Sequence, residues 1–246
     1  MSVSSVSAGS GTEAALLDQI NSVLGRIETK TTDLQNSING KMKWLPPGLQ
    51  DKVISGWNSF VGLLKKIWDF WYEVATHLGS PSTLSATADD WSDSVGSPVS
   101  AQVQTADAGT LLVDDNWDGD AADAYRQTLP QQKAALDKIK SGLTDGIASA
   151  LSDVAKGIVA FWVCLIGALA ALVGGIVGAL SSAATIFGLP AAPFIAAAAA
   201  LVAGGAVTGG MLILQSVCSA AASSMRQKLD DNAGFHGGHW PPAAKY

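Results

Sequence analysis

From Gly157 to Met225 the chain carries no Asp, Glu, Lys or Arg; all of its 15 Lys+Arg and 21 Asp+Glu lie outside that block. An uncharged helical stretch of this kind is buried in a core or placed in a bilayer. Residues 157–180, GIVAFWVCLIGALAALVGGIVGAL, are rich in Leu, Ile and Val. As a helix rising about 1.5 Å per residue they reach about 36 Å, enough to cross a hydrocarbon core about 30 Å thick. IFGLPAAPF then predicts a turn, and residues 191–217 a second span. That span is mostly Ala and Gly, which contribute little to insertion. The expectation is a hydrophobic helical hairpin over 157–225 that sits in, or can enter, a bilayer. Its rival is a soluble core hairpin covered by amphipathic helices. Lys156 precedes the first span, and Arg226 and Lys228 follow the second. The excess of positive charge on cytoplasmic flanks would place both ends there if insertion is co-translational. Gly174 with Gly178, and Gly205 with Gly209, form GxxxG pairs, which let helices approach closely. They are expected at the packing surface of the hairpin.

Two helices able to cover such a hairpin precede it. Leu16, Leu17, Ile20, Val23, Leu24, Ile27, Thr31, Leu34 and Ile38 recur at spacings of three and four, a helical stripe over 13–40. The two prolines of WLPPG, residues 44–48, end it. A second stripe over 50–78 includes Val53, Ile54, Trp57, Phe60, Val61, Leu64, Ile67, Trp68 and Trp71, with Lys52, Lys65, Lys66, Asp69 and Glu73 largely opposite. Its aromatic residues suit either a membrane surface or a partner helix, and the heptad-like spacing favours the partner. Residues 83–112 read as a weaker helix bent at Gly96 and Pro98. Helical spacing resumes from Tyr125 to Val154, where Pro130 predicts a kink. No useful run of alternation appears, so the fold class is all-α, an elongated helical bundle. The segments are a disordered 1–12, amphipathic helices over 13–78, a helical hairpin over 79–156, the hydrophobic hairpin over 157–225, and a flexible 226–246.

A net charge of −6 without a basic patch excludes nucleic acid as a partner. The N-terminal stretch has neither the basic nor the apolar region of a Sec signal peptide. Both cysteines, Cys164 and Cys218, lie in the uncharged block, where a buried thiol is the default and a disulfide the alternative. The histidines are His77 on a helix and His236 and His239 in the tail, so no nucleophile–base pair can be assembled. No enzyme activity and no cofactor is expected. His236 and His239 have a metal-pair spacing on a Gly-rich tail without further ligands, which predicts no site.

NWDGDAADAY, residues 116–125, has two readings. Asp114, Asn116, Asp118 and Gly119 occupy positions 1, 3, 5 and 6 of a calcium loop. Position 12, which must be a bidentate Glu, is Tyr125, so the loop is not closed. The other reading is a helix–turn–helix elbow. Gly119 can take positive φ, Asp120 caps the next helix, and Trp117 plugs the corner.

Trp117 and Gly119, followed by Ala121, Ala122, Ala124 and Tyr125, resemble the W-x-G-x-A-A-x-x-[FY] pattern of the WXG family of type VII secretion substrates. The resemblance runs from about Ser82 to Leu151. It implies two antiparallel helices joined by a Trp-x-Gly turn, with a helical protein partner, either another WXG-type protein or a second copy. The Tyr-x-x-x-acid element often found in family export signals is missing, since Leu129 follows Tyr125 and Thr76 follows Tyr72 at that distance. The expected function is a type VII secretion-associated helical protein that binds partner helices and membrane lipid. The alternative is an α-helical pore-forming effector, soluble before insertion.

Overall fold

A computed structural model of the chain describes residues 10–107, 116–235 and 237–242, and all of its regular elements are helices among those residues. They are α1 (Ser10–Met42), α2 (Pro47–His77), α3 (Pro81–Asp90), α4 (Ser97–Thr105), α5 (Asp120–Arg126), α6 (Leu129–Lys138), α7 (Asp145–Ala183) and α8 (Ala192–Asp230). Two wide π-helical turns, Trp91–Gly96 and Ile139–Thr144, precede α4 and α7. The fold is all-α, as the periodicity predicted. It forms two units, one of residues 1–80 with 157–215, the other of 81–156 with 216–246. The hydrophobic hairpin is therefore not a body of its own. Most of it belongs with the first two helices, and the last turns of α8 belong with 81–156.

In the first unit, α1 and α2 are antiparallel around a four-residue turn. Pro47 opens α2 at a position where its missing N–H costs nothing. The far ends are tied by the Ser80 hydroxyl, which donates to Glu13 Oε2 at 2.8 Å. The apolar stripes of both helices are the core. Ile20, Ile27, Leu34, Val53 and Phe60 are all almost fully buried. Ile54 and Val61, a heptad apart, are 49% and 42% exposed, so the buried face of α2 is narrower than its apolar stripe.

Residues 157–183 and 192–215 form an antiparallel pair in the same unit. Cys164 Sγ lies 3.9 Å from the Ala206 carbonyl oxygen, and Gly175 faces Ala199. The large side chains Leu165, Leu169, Leu172 and Ile176 supply the buried face of α7. Small ones (Ala196, Ala197, Ala200, Ala203) supply that of α8. The Ala/Gly bias of the second span has this local cause, because α8 packs with its backbone close to its neighbours. A Cβ at Gly56 of α2 would stand 3.0 Å from Pro193, and one at Gly210 would stand 3.3 Å from Cys164 Sγ.

In the second unit, Pro81–Asp107 lies antiparallel to Leu129–Thr144. Lys133 pairs with Asp107 at 2.6 Å near one end, and Gly96 meets the Thr144 methyl near the other. The bend expected at Gly96 and Pro98 is the π-helical turn, in which the Ser97 N–H donates to the Ser92 carbonyl. A wide turn accommodates a proline that has no N–H and crowds the preceding turn. Pro130 does not kink a helix. Its helix is broken at Gln127–Thr128, and Pro130 sits in the first turn of α6, where a proline is tolerated. The end of α8 returns along this pair, with Lys228 Nζ 3.3 Å from the Ser141 carbonyl oxygen.

The tail is not loose over 231–235. Asp231 pairs with Lys138, and Gly234 lies close against Lys138 and Ala134. The Lys138 ammonium, then the Ala233 N–H, hold the Asp231 carboxyl below the usual carboxylate range. The predicted disorder of 1–12 falls mainly outside the described residues, as do residues 108–112 of the predicted helix over 83–112.

Candidate membrane-facing hairpin and Trp-x-Gly turn

Among the described residues, two helices, α7 and α8, are long and apolar enough to cross a membrane. Only 39% of the most apolar stretch of the first and 33% of that of the second is buried, whereas a soluble core helix would be mostly buried. The uncovered surface is concentrated on α8, where Phe194, Leu201, Val202, Leu212 and Ile213 are 49–70% exposed. Between Ala192 and Gln215 no charged side chain interrupts that face.

The opposite side of the hairpin is covered by α1 and α2. Leu17 and Trp162 line one pocket, and Lys41 Nζ donates to the Ala183 carbonyl at 2.5 Å, so α1 runs parallel to α7. The exposed Arg26 and Glu28 are consequently level with the middle of the first span. On α2, Leu63, Lys66, Ile67 and Phe70 share a cleft of about 440 Å³ with Ala200 and Gly204 of α8. Exposed Lys65, Lys66 and Asp69 thus stand beside the middle of the second span. The assembled four helices have one charged side and one apolar side. A charged side chain at the bilayer centre costs about 2.5–3.5 kcal/mol on insertion scales, so this arrangement does not span a bilayer as it stands.

The glycines expected at the hairpin packing surface are not there. Added Cβ atoms at Gly174, Gly178, Gly205 and Gly209 would meet nothing within 4 Å. The close approach is carried by Gly175 and Gly210, one residue from the GxxxG pairs, because the buried faces of α7 and α8 are rotated by that much. The cysteines correct the sequence reading too: both are exposed and free. On α7 the outward Gly167, Ala170, Ala171 and Gly174 leave Cys164 on a lightly covered face.

At the Trp-x-Gly turn, Gly119 has φ 106° and ψ 177°, conformations that side chains rarely adopt. It is the residue at the start of α5, and no side chain caps that helix. Asp120 is therefore not the cap but lies in the first helical turn with Asp123, near its positive end. Trp117 is not a buried plug. It is 42% exposed, with its ring centroid 5.9 Å from that of Tyr125. Sequence reasoning missed Arg126. Its guanidinium donates to the Trp117 carbonyl at 3.1 Å and to Asp123 Oδ1 at 2.9 Å, closing the turn over the start of the helix. The available signal was the Asp123–Arg126 spacing of three. Asp114, first position of the calcium pattern, and His236 lie outside the described residues. Among the described residues no three His, Cys, Asp or Glu side chains cluster as a metal site.

Comparison of the chain with family models, curated proteins and solved structures finds no match.

Proposed function

We propose that this chain is a non-enzymatic helical protein that associates with membranes through its 157–215 hairpin and is held beforehand in a masked form. α1 and α2 cover one side of the hairpin, and the outward face of α8 remains free to meet lipid. The observation that carries this reading is the charge on α1 and α2 beside the middle of both spans. An inserted hairpin has to part from these helices, which otherwise cover one of its sides. This is the masked form of the pore-forming alternative, and membrane lipid is the partner.

Leu201, 61% exposed at the cleft shared with α2, tests it outside the buried face of α8. Protein prepared without detergent should float with lipid vesicles. Leu201→Arg should weaken flotation, by up to about 2.5–3.5 kcal/mol if the position reaches mid-bilayer, with an unchanged circular dichroism spectrum. Unmodified protein that stays in the aqueous phase across pH would remove the membrane reading.

A second element rests on the Trp117–Gly119 resemblance and on the antiparallel packing of 81–107 against 129–144. It is handling by a type VII-like route with a helical protein partner. Loss of export from a host carrying such a system on Trp117→Ala, with the protein still folded, is the expected outcome.

A further inference from the structure

The turn between α7 and α8 differs from an ordinary surface loop in three respects. Residues 184–191, ATIFGLPA, contain no charged side chain. Phe187 is 98% exposed and Ile186 46% exposed. Much of the backbone N–H is also bonded from within. The N–H groups of Ala184, Thr185, Leu189, Ala191 and Ala192 donate to carbonyls of 181–189. The Gly188 N–H donates to Thr185 Oγ1 at 3.1 Å, and the Ser182 hydroxyl donates to the Gly188 carbonyl at 2.9 Å. Five of the seven N–H groups of 184–191 are thereby bonded within the turn, those of Ile186 and Phe187 not among them. Such internal bonding lowers the cost of bringing the turn to a bilayer surface, where the remaining groups still meet headgroup water.

The fold sets a second loop beside this one. Lys41 Nζ and the Ser37 hydroxyl both reach the Ala183 carbonyl, at 2.5 and 3.3 Å, so the α1–α2 turn lies at the same end of the unit. That turn offers Trp44, 65% exposed, with Lys43 Nζ 5.3 Å from its ring centroid. Residues 41–52 carry Lys41, Lys43 and Lys52 against Asp51 alone, a positive end in a chain whose net charge is −6. A Trp beside lysines suits the headgroup layer, where the ring is amphipathic and the ammonium meets phosphate. The exposed Phe194 and Ile195 continue the patch onto the open face of α8.

Resting on the membrane reading above, we propose that this end is the leading edge of the protein. Phe187 and Ile186 enter an anionic bilayer surface first, while Trp44, Lys43 and Lys52 hold the headgroups. The hairpin then follows its turn inward, so both of its distal ends stay on the side of entry.

The test compares two charge insertions with the full-length protein, using vesicles of phosphatidylcholine with and without phosphatidylglycerol. Phe187→Asp changes a side chain that packs against nothing, and Leu212→Asp places the same charge on the exposed face of α8 at the other end of the hairpin span. Circular dichroism should show both folded. Phe187→Asp should lower association with the anionic vesicles about tenfold or more, Leu212→Asp clearly less, and added salt should weaken the unmodified protein. Equal effects of the two substitutions, or a larger one from Leu212→Asp, overturn the leading edge while leaving membrane association standing. Equal binding to vesicles lacking phosphatidylglycerol overturns the anionic surface. Failure of the unmodified protein to bind any vesicle removes this inference and the membrane reading together.

Discussion

Gly188 and Gly204 have the same chemistry and opposite demands. A Cβ at Gly188 would collide with the Ser182 carbonyl, while one at Gly204 would meet nothing within 4 Å. Gly188→Ala should therefore destabilise by about 1–3 kcal/mol, and Gly204→Ala should stabilise by about 0.5–1 kcal/mol through helix propensity. Thermal denaturation of the two variants measures the contrast. Gly119→Ala belongs with the first, at about 1–3 kcal/mol, because its backbone lies where only glycine is at ease. Trp117→Ala, in contrast, should cost about 1–2 kcal/mol, less than the loss of a fully buried ring, because nearly half of the side chain already meets water. Asp231 adds a pH dependence. Its carboxyl is held low in the folded chain by Lys138, so the contact stabilises at neutral pH and is lost as pH falls through that lowered value. The Gly234 amide resonance should report undocking of 231–235 in acid, and Lys138→Ala should undock it at neutral pH. A resonance unmoved by acid would break the link between this ion pair and the tail.

The elements differ in how far their sequences disclose them. α1 and α2 were legible because amphipathic periodicity and two prolines mark both stripe and boundary. α7 and α8 were legible as a hairpin because an uncharged block interrupted by IFGLPAAPF has few other solutions. What the sequence did not disclose is which face of each span is buried. In an uncharged span no polar face marks the outside, so GxxxG spacing pointed at Gly174 and Gly178 while the contact formed at Gly175. The breaks near Pro98 and Pro130 were visible as breaks, but their form was set by tertiary partners. Thr144 lies against Gly96, and Thr128 is fully buried, its hydroxyl donating locally to the Tyr125 carbonyl at 2.7 Å. Of the candidate site, the Trp-x-Gly turn was visible and its fastening by Arg126 was not, since a short acidic–basic spacing is common on any helix. Leu169 illustrates the same limit. It is central in the first span by sequence yet only 1% exposed, so Arg there would test the folding of the bundle before it tested the membrane. Leu201 and Leu212 are the informative positions.

In the first unit as a whole, charged and apolar surfaces are divided between two pairs of helices. α1 and α2 face water with Arg26, Glu28, Lys65, Lys66 and Asp69, while α7 and α8 supply an uncharged hairpin whose outward side is bare. On the proposed reading, such an arrangement keeps the hairpin from lipid only while the cover stays in place. The cover over α8 leaves a cleft of about 440 Å³ between Lys66 and Leu201. The most direct measurement is the distance between spin labels on α2 and α8, at Lys66→Cys and Val202→Cys, with Cys164 and Cys218 replaced by Ser. Both positions are exposed; Lys66 lines the cleft from α2, and Val202 follows Leu201, which lines it from α8. In water the account gives one short, narrow distance. On anionic vesicles it gives a longer, broader one, as the hairpin leaves α2. An unchanged short distance in protein that floats with the vesicles would contradict it, because the four helices would then have met the membrane without unmasking.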